Sequence, residues 1–228
     1  MKRPMLYPLS RKAIFQASSL ADTFVAYMQQ GYAQDLDMNE PQERSLLKKY
    51  YDHLQPFQPL DPPLDNDMMV LAFPASNQQD FFGQMPVAMA QLFKALGTKE
   101  LYIVDFLKTS LNEFPFETYG KRNKLKQLLG WNLHYDGFQL SADDLSVVLP
   151  LFYFSGIYAR PVIALVADGE VPLVLRLCKD GNFHCNYQQL RKDRITTAAS
   201  AAGFLTGDVY ICWEYSVQSL PLKAPQEF

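Results

Sequence analysis

Cys178, His184 and Cys185 lie within one short stretch of a chain that holds only three cysteines and three histidines. Two thiols and an imidazole are zinc-type donors, and zinc needs three or four such groups converging on one point. Convergence depends on strand register, because successive strand residues face opposite sides of a sheet. No C-x-x-C and no H-x-x-x-H completes the set.

The turn Lys179-Asp180-Gly181 decides the register. A three-residue loop with Gly181 left-handed sets Cys178 opposite Asn182 and Arg176 opposite His184. Leu173, Leu175, Leu177, Phe183, Cys185 and Tyr187 then share an apolar face. Val174, Arg176, Asn182, His184 and Asn186 share the other. A two-residue loop mixes the faces, so the clean partition selects the longer one. Cys185 then points into the core, leaving Cys178 and His184 as at most two ligands. The expectation is therefore no metal, no cofactor and no disulfide.

Other candidate chemistry is weaker. Ser45-Leu-Leu-Lys48 matches S-x-x-K, and Lys108-Thr109-Ser110 is a distant version of K-T-G. Ser45 falls mid-helix among Glu43, Arg44, Lys48 and Lys49, which suits a solvated face. His134 could act as a general base oriented by Asp136 or Asp105, but Asp136 reads as a turn residue and His134 as facing Gln139. His53 closes a charged helix, where a cation suits the dipole. Asp61, Asp65 and Asp67 lack the glycine and distal glutamate of a calcium loop. Lys121, Arg122, Lys124 and Lys126 have no interleaved aromatics and read as a solvated face. Phosphate-loop, dinucleotide, nucleophile-elbow and H-E-x-x-H motifs are missing from the sequence.

The elements that would position these residues follow from periodicity. Ser10 caps a helix whose apolar residues run from Ile14 to Met28, with Gly31 as its stop. Pro41 to Leu54 is a second helix. Pro56, Pro59, Pro62 and Pro63 stiffen a connector. Met68 to Phe73 and Leu101 to Phe106 read as strands around a helix from Pro86 to Leu96, a βαβ candidate, the alternative being two strands separated in a mixed sheet. Lys121 to Leu129 is a short helix, and Trp131 to Leu140 a hairpin on Asp136-Gly137. Ser141 with Asp144 boxes a helix that Pro150 ends or kinks. Ile163 to Tyr187 is a three-stranded meander whose first turn, Ala167-Asp168-Gly169, takes the same three-residue form. Gln188 to Phe204 is a helix with Leu190 on its apolar side, and Val209 to Val217 a final strand.

The fold class is α+β (mixed α/β): an antiparallel-rich mixed sheet flanked by helices. Residues 1–55 form an N-terminal helical hairpin, 56–67 a proline-rich connector, 68–220 the core and 221–228 a loose tail. Of the 228 residues, 48% are hydrophobic, enough for a sizeable core, and the net charge is −3. That balance disfavours nucleic-acid and anionic-membrane partners. Few cysteines, the absence of a continuous apolar leader and no membrane-length run suit a cytoplasmic protein.

With no assembled catalytic set, the functional expectation is a non-catalytic protein-binding protein, an inhibitor or toxin-neutralising (immunity-type) role being one instance. The partner is another protein, and docking aromatics are Phe81, Phe82, Phe114, Phe116 and Tyr119. The alternative is a hydrolase or transferase using His134, His184 or Cys178 in a cleft built from distant residues.

Overall fold

A computed structural model describes residues 6–52, 60–64, 68–108, 119–129, 137–153 and 163–222. Eight strands form one sheet: β1 (Leu6–Leu9), β2 (Met68–Ala72), β3 (Glu100–Asp105), β4 (Gly137–Ser141), β5 (Ile163–Ala167), β6 (Leu173–Leu177), β7 (Phe183–Tyr187) and β8 (Leu205–Gly207). Their order is β1-β4-β3-β5-β6-β7-β2-β8, and every adjacent pair is antiparallel.

The meander β5-β6-β7 is the centre of this sheet, and its second turn has the expected register. Leu173 pairs with Tyr187 and Arg176 with His184. Gly181 adopts φ 89°, its N–H donates to the Cys178 carbonyl at 3.0 Å, and the Cys178 N–H donates to the Asn182 carbonyl at 2.8 Å. The first turn is longer than expected. Ala167 pairs with Leu173, so Asp168 to Pro172 form the loop and Pro172 leaves the ladder. The two registers differ by an even number of residues, so the faces are unchanged.

Helices cover both faces. α4 (Gln78–Ala95), α6 (Leu145–Tyr153) and α7 (Lys192–Ala201) pack on the face that carries Leu173, Leu175, Phe183 and Cys185. α1 (Arg11–Ala17) and α2 (Ser19–Ala33) pack on the other, against Val104, Val166 and Val174. The remaining helices are α3 (Pro41–Tyr50), α5 (Tyr119–Leu129) and α8 (Ile211–Glu214).

The strands around α4 do not pair. β2 and β3 run in the same direction, but β5, β6 and β7 stand between them. That separation is four strand spacings, about 19 Å. α4 has 18 residues, about 27 Å of helix, so it reaches across the whole meander. Its start also differs from expectation. Asn77 caps it, its side-chain oxygen accepting from the Asp80 N–H at 2.9 Å, and Pro86 lies inside the helix. Phe81 and Phe82 are consequently helical. Phe81 is 1% exposed and Phe82 packs against the same core.

The N-terminal helix is broken in two. Ser18 leaves helical geometry, accepts from the Ala21 N–H at 3.1 Å and donates to Asp168 at 2.8 Å. Gly31 is not a stop, since α2 continues to Ala33. Arg11 on α1 is buried. It contacts Asp52 through Nε and Nη2, the latter at 2.6 Å, and donates through Nη1 to the carbonyls of Asp105 at 2.6 Å and Leu107 at 3.1 Å. Gln29 on α2 joins it, donating to Asp52 at 2.8 Å and to the Phe106 carbonyl at 2.6 Å.

Two further expectations are corrected. Val209 to Val217 is not a strand: the chain turns at Asp208, whose carboxylate accepts from the Tyr210 N–H at 2.9 Å, and continues into α8 and a 3₁₀ turn at Val217–Ser219. Leu190 is 96% exposed because it sits in the 3₁₀ turn Gln189–Arg191 before α7. Of the expected hairpin, residues 131–136 lie outside the described residues, as does His53. Gly137 itself is in β4, between β1 and β3. No helix among the described residues is long and apolar enough to cross a membrane.

A Cβ at Gly137 would collide with the Ile14 side chain and lie 2.7 Å from the Ile103 carbonyl oxygen. The backbone neighbour cannot rotate away. Gly137→Ala should therefore cost about 1–3 kcal/mol, the range for overpacking, read as a lowered urea midpoint at unchanged slope.

Candidate functional site on the polar face of the meander

The register of β6 and β7 lays out one polar row. Arg176 and His184 are directly opposite, Asn186 is opposite Val174, and Cys178 is opposite Asn182. β2 extends the row, with Val70 paired to His184 and Met68 to Asn186. α2 covers the adjoining part of this face. Its C-terminal half overhangs β6, β7 and β2, and beneath it is a cavity of about 740 Å³.

Arg176 is the charged group of that cavity. Its Nη2 lies 3.1 Å from Met68 Sδ, and its buried Nε has no hydrogen-bond partner among the described residues. No carboxylate among those residues pairs with it. Burial opposes its charge; a guanidinium nonetheless stays protonated. Asn186 adds a buried side-chain oxygen that also lacks a partner among the described residues. The walls are Phe24, Tyr27, Met28, Tyr32 and Leu60. The size and lining, apolar walls with a few convergent polar groups, are those of a small-molecule site.

The other end of the row holds a second constellation. α8 brings Cys212 to Cys178 and His184. The Cys178 and Cys212 sulfurs are 3.9 Å apart, and the Cys212 sulfur is 3.3 Å from His184 Nε2. All three ligand atoms lie within 4.8 Å of one another. Cys212 is a third donor that its strand-like alternation in the sequence does not reveal. Cys185 is in the opposite core as expected, and all three cysteines are free. Burial pushes Cys212 up to about 12 and also raises Cys178. An activated nucleophile needs the reverse shift and access to solvent. His184 is held below its ordinary value by burial and then by the Arg176 charge, with Asp180 opposing.

The other expected site residues are scattered. Phe81, expected to be an exposed anchor, is instead core, because the Asn77 cap draws it into α4. Phe82 is only partly buried and packs against that core. Phe114, Phe116 and His134 lie outside the described residues, as does the side chain of Tyr119, whose backbone opens α5. Exposed aromatics occur elsewhere. Tyr210 and Trp213 are each 67% exposed, with their rings 5.9 Å apart. No family model matches the chain, and no curated protein or solved structure matches it either.

The His184 shift has a defined sign. The unfolded chain takes up this proton near the ordinary value of 6.5, and the folded protein resists until lower pH. The associated stability is complete above that value and is lost as pH falls below it. In chelator, the urea stability of the wild type should fall with acidification below pH 6.5, and His184→Gln should flatten that slope.

Proposed function

We propose that the protein is a non-catalytic binding protein whose ligand is a small anion with an apolar body and a hydrogen-bond donor beside its acid group. The observation that carries this reading is Arg176: a guanidinium without a carboxylate partner among the described residues, facing a cavity. A buried charge is costly unless paired, so the site is prepared for an anion. Asn186 supplies an acceptor diagonal to it across the strands, within side-chain reach. The aromatic and aliphatic walls suit the body of such a ligand. The described lining brings no carboxylate, histidine or thiol to the cavity, which supports binding over turnover.

Mandelate, phenylacetate and mandelamide separate the parts of this reading. Mandelate should raise the melting temperature. Phenylacetate, without the hydroxyl, should bind more weakly, and mandelamide, without the charge, should not bind. Arg176→Gln should weaken mandelate at least tenfold, the factor set by about 1.4 kcal/mol for one charge-assisted hydrogen bond. Equal shifts from mandelate and mandelamide, or none from either acid, would refute it.

A protein partner is the second reading, and an inhibitory or toxin-neutralising role is an instance of it. It is favoured by the exposed Tyr210–Trp213 pair, since rigid aromatics bury much area at small entropic cost. Replacing Tyr210 and Trp213 together by alanine should weaken partner capture at least tenfold with the melting temperature unchanged. A lowered melting temperature with capture intact would count against it.

A further inference from the structure

We propose that Cys178, His184 and Cys212 form a zinc site that staples α8 to the meander. Zinc–sulfur bonds of about 2.3 Å and zinc–nitrogen bonds of about 2.0–2.1 Å in a tetrahedron require sulfurs about 3.8 Å apart and a sulfur–nitrogen edge of about 3.6 Å. The protein holds the corresponding edges at 3.9 and 3.3 Å. Two thiols and one imidazole reach these separations from three different elements: the end of β6, β7 and α8. The third edge, between the Cys178 sulfur and the imidazole, is within 4.8 Å.

The surroundings favour a cation there. The Asp180 carboxylate is close enough for its charge to act on all three groups. It also anchors the segment after α8, accepting from Ser216 Oγ at 3.2 Å while its backbone carbonyl accepts from the Val217 N–H at 2.9 Å. Backbone groups of Asp180 and Asn182 hydrogen-bond to the Cys178 sulfur and stabilise its thiolate. Asn182, 1% exposed, donates through Nδ2 to the Cys212 carbonyl at 3.2 Å, while its buried Oδ1 has no partner among the described residues. The opposing group is Arg176, whose positive charge acts on His184.

A staple would act on α8 itself, since Val217 and the residues after it are already held by the main core and by hydrogen bonds to Asp180, Lys179 and Gln78. α8 has four residues, too few to be stable alone, and its buried cluster is Val70, Cys178 and Cys212 with Ile211 alongside. Zinc would replace one proton on each thiol, and both protons leave to solvent. His184 binds as the neutral imidazole, and water takes the fourth position. Affinity therefore rises steeply with pH across the neutral range.

Cobalt(II) and zinc report the site directly. The full-length protein, reduced and stripped with chelator, should take up one equivalent of cobalt with a thiolate-to-metal charge-transfer band, and zinc should bleach that band. Zinc should also raise the melting temperature, with the logarithm of its free concentration over the dissociation constant. Cys178→Ser, Cys212→Ser and His184→Gln should each weaken binding at least tenfold, and Cys185→Ala should not. If a serine variant fails to fold, His184→Gln, at the half-exposed ligand, still decides the question. The proposal is overturned if the reduced wild type gives no charge-transfer band. It is equally overturned if the band survives undiminished in His184→Gln, or if mild oxidation joins Cys178 to Cys212 in a protein that takes up no zinc when reduced.

Discussion

Gly181 in left-handed geometry sets the direction of every side chain in the polar row. It closes the β6–β7 loop with one residue more than the tightest hairpin, and the pair registers as Arg176 against His184. A slip of β7 by one residue against β6 would turn His184 into the core and move Phe183, Cys185 and Tyr187 to the polar face. Burial of the Leu173, Leu175 and Phe183 side opposes that slip, at about 1.5–3 kcal/mol for each large apolar side chain kept from water. The cavity and the thiol cluster thus rest on the same constraint. β6 and β7 place Asn186 at one end of the row, Arg176 and His184 opposite each other in its middle, and Cys178 opposite Asn182 at the other end.

The second constraint is ionic. Arg11 is buried where α1, the end of β3 and Asp52 meet, and its donors reach that carboxylate and two backbone carbonyls. Removing one partner of such a buried pair costs about 3–5 kcal/mol, because the other charge is left without compensation. Gln29 ties α2 into this network from the same face that carries Phe24, Met28 and Tyr32 over the cavity. The pitch of α2, and hence the height of the cavity roof, is fixed by Arg11 and Gln29 at one side and by Ser18 on Asp168 at the other.

Where local chemistry and global packing agree, the sequence was readable. The Asp180-Gly181 turn and the alternation on either side of it gave the register, the two faces and the separation of Cys178 from Cys185. Where they compete, it was not. Val209 to Val217 alternates like a strand, yet the Asp208 turn and the insertion of Cys212 against Val70 win, so the third thiol went unseen. Pro86 suits a first helical turn, and that preference hid the Asn77 cap that actually starts α4. β1 has four residues, one of them Pro8, tolerable only on a sheet edge, and carries no periodic signal. The cavity was illegible for a different reason: its roof and floor are far apart in sequence, and only tertiary packing brings Tyr32 over Arg176.

The two proposed ligands have opposite charge and share one strand pair. Arg176 and His184 are directly opposite, so the charge that would hold an anion in the cavity also disfavours a cation on the imidazole. Asp180 offsets that repulsion at the thiol end, and a bound anion would offset it at the cavity end. Because zinc would displace one proton from each thiol, the net charge at that end would not change, and what Arg176 chiefly disfavours is the protonated imidazole. The polar row acts as a graded field, positive over Met68 and Asn186 and negative towards Asp180, laid down by the order of side chains along two adjacent strands.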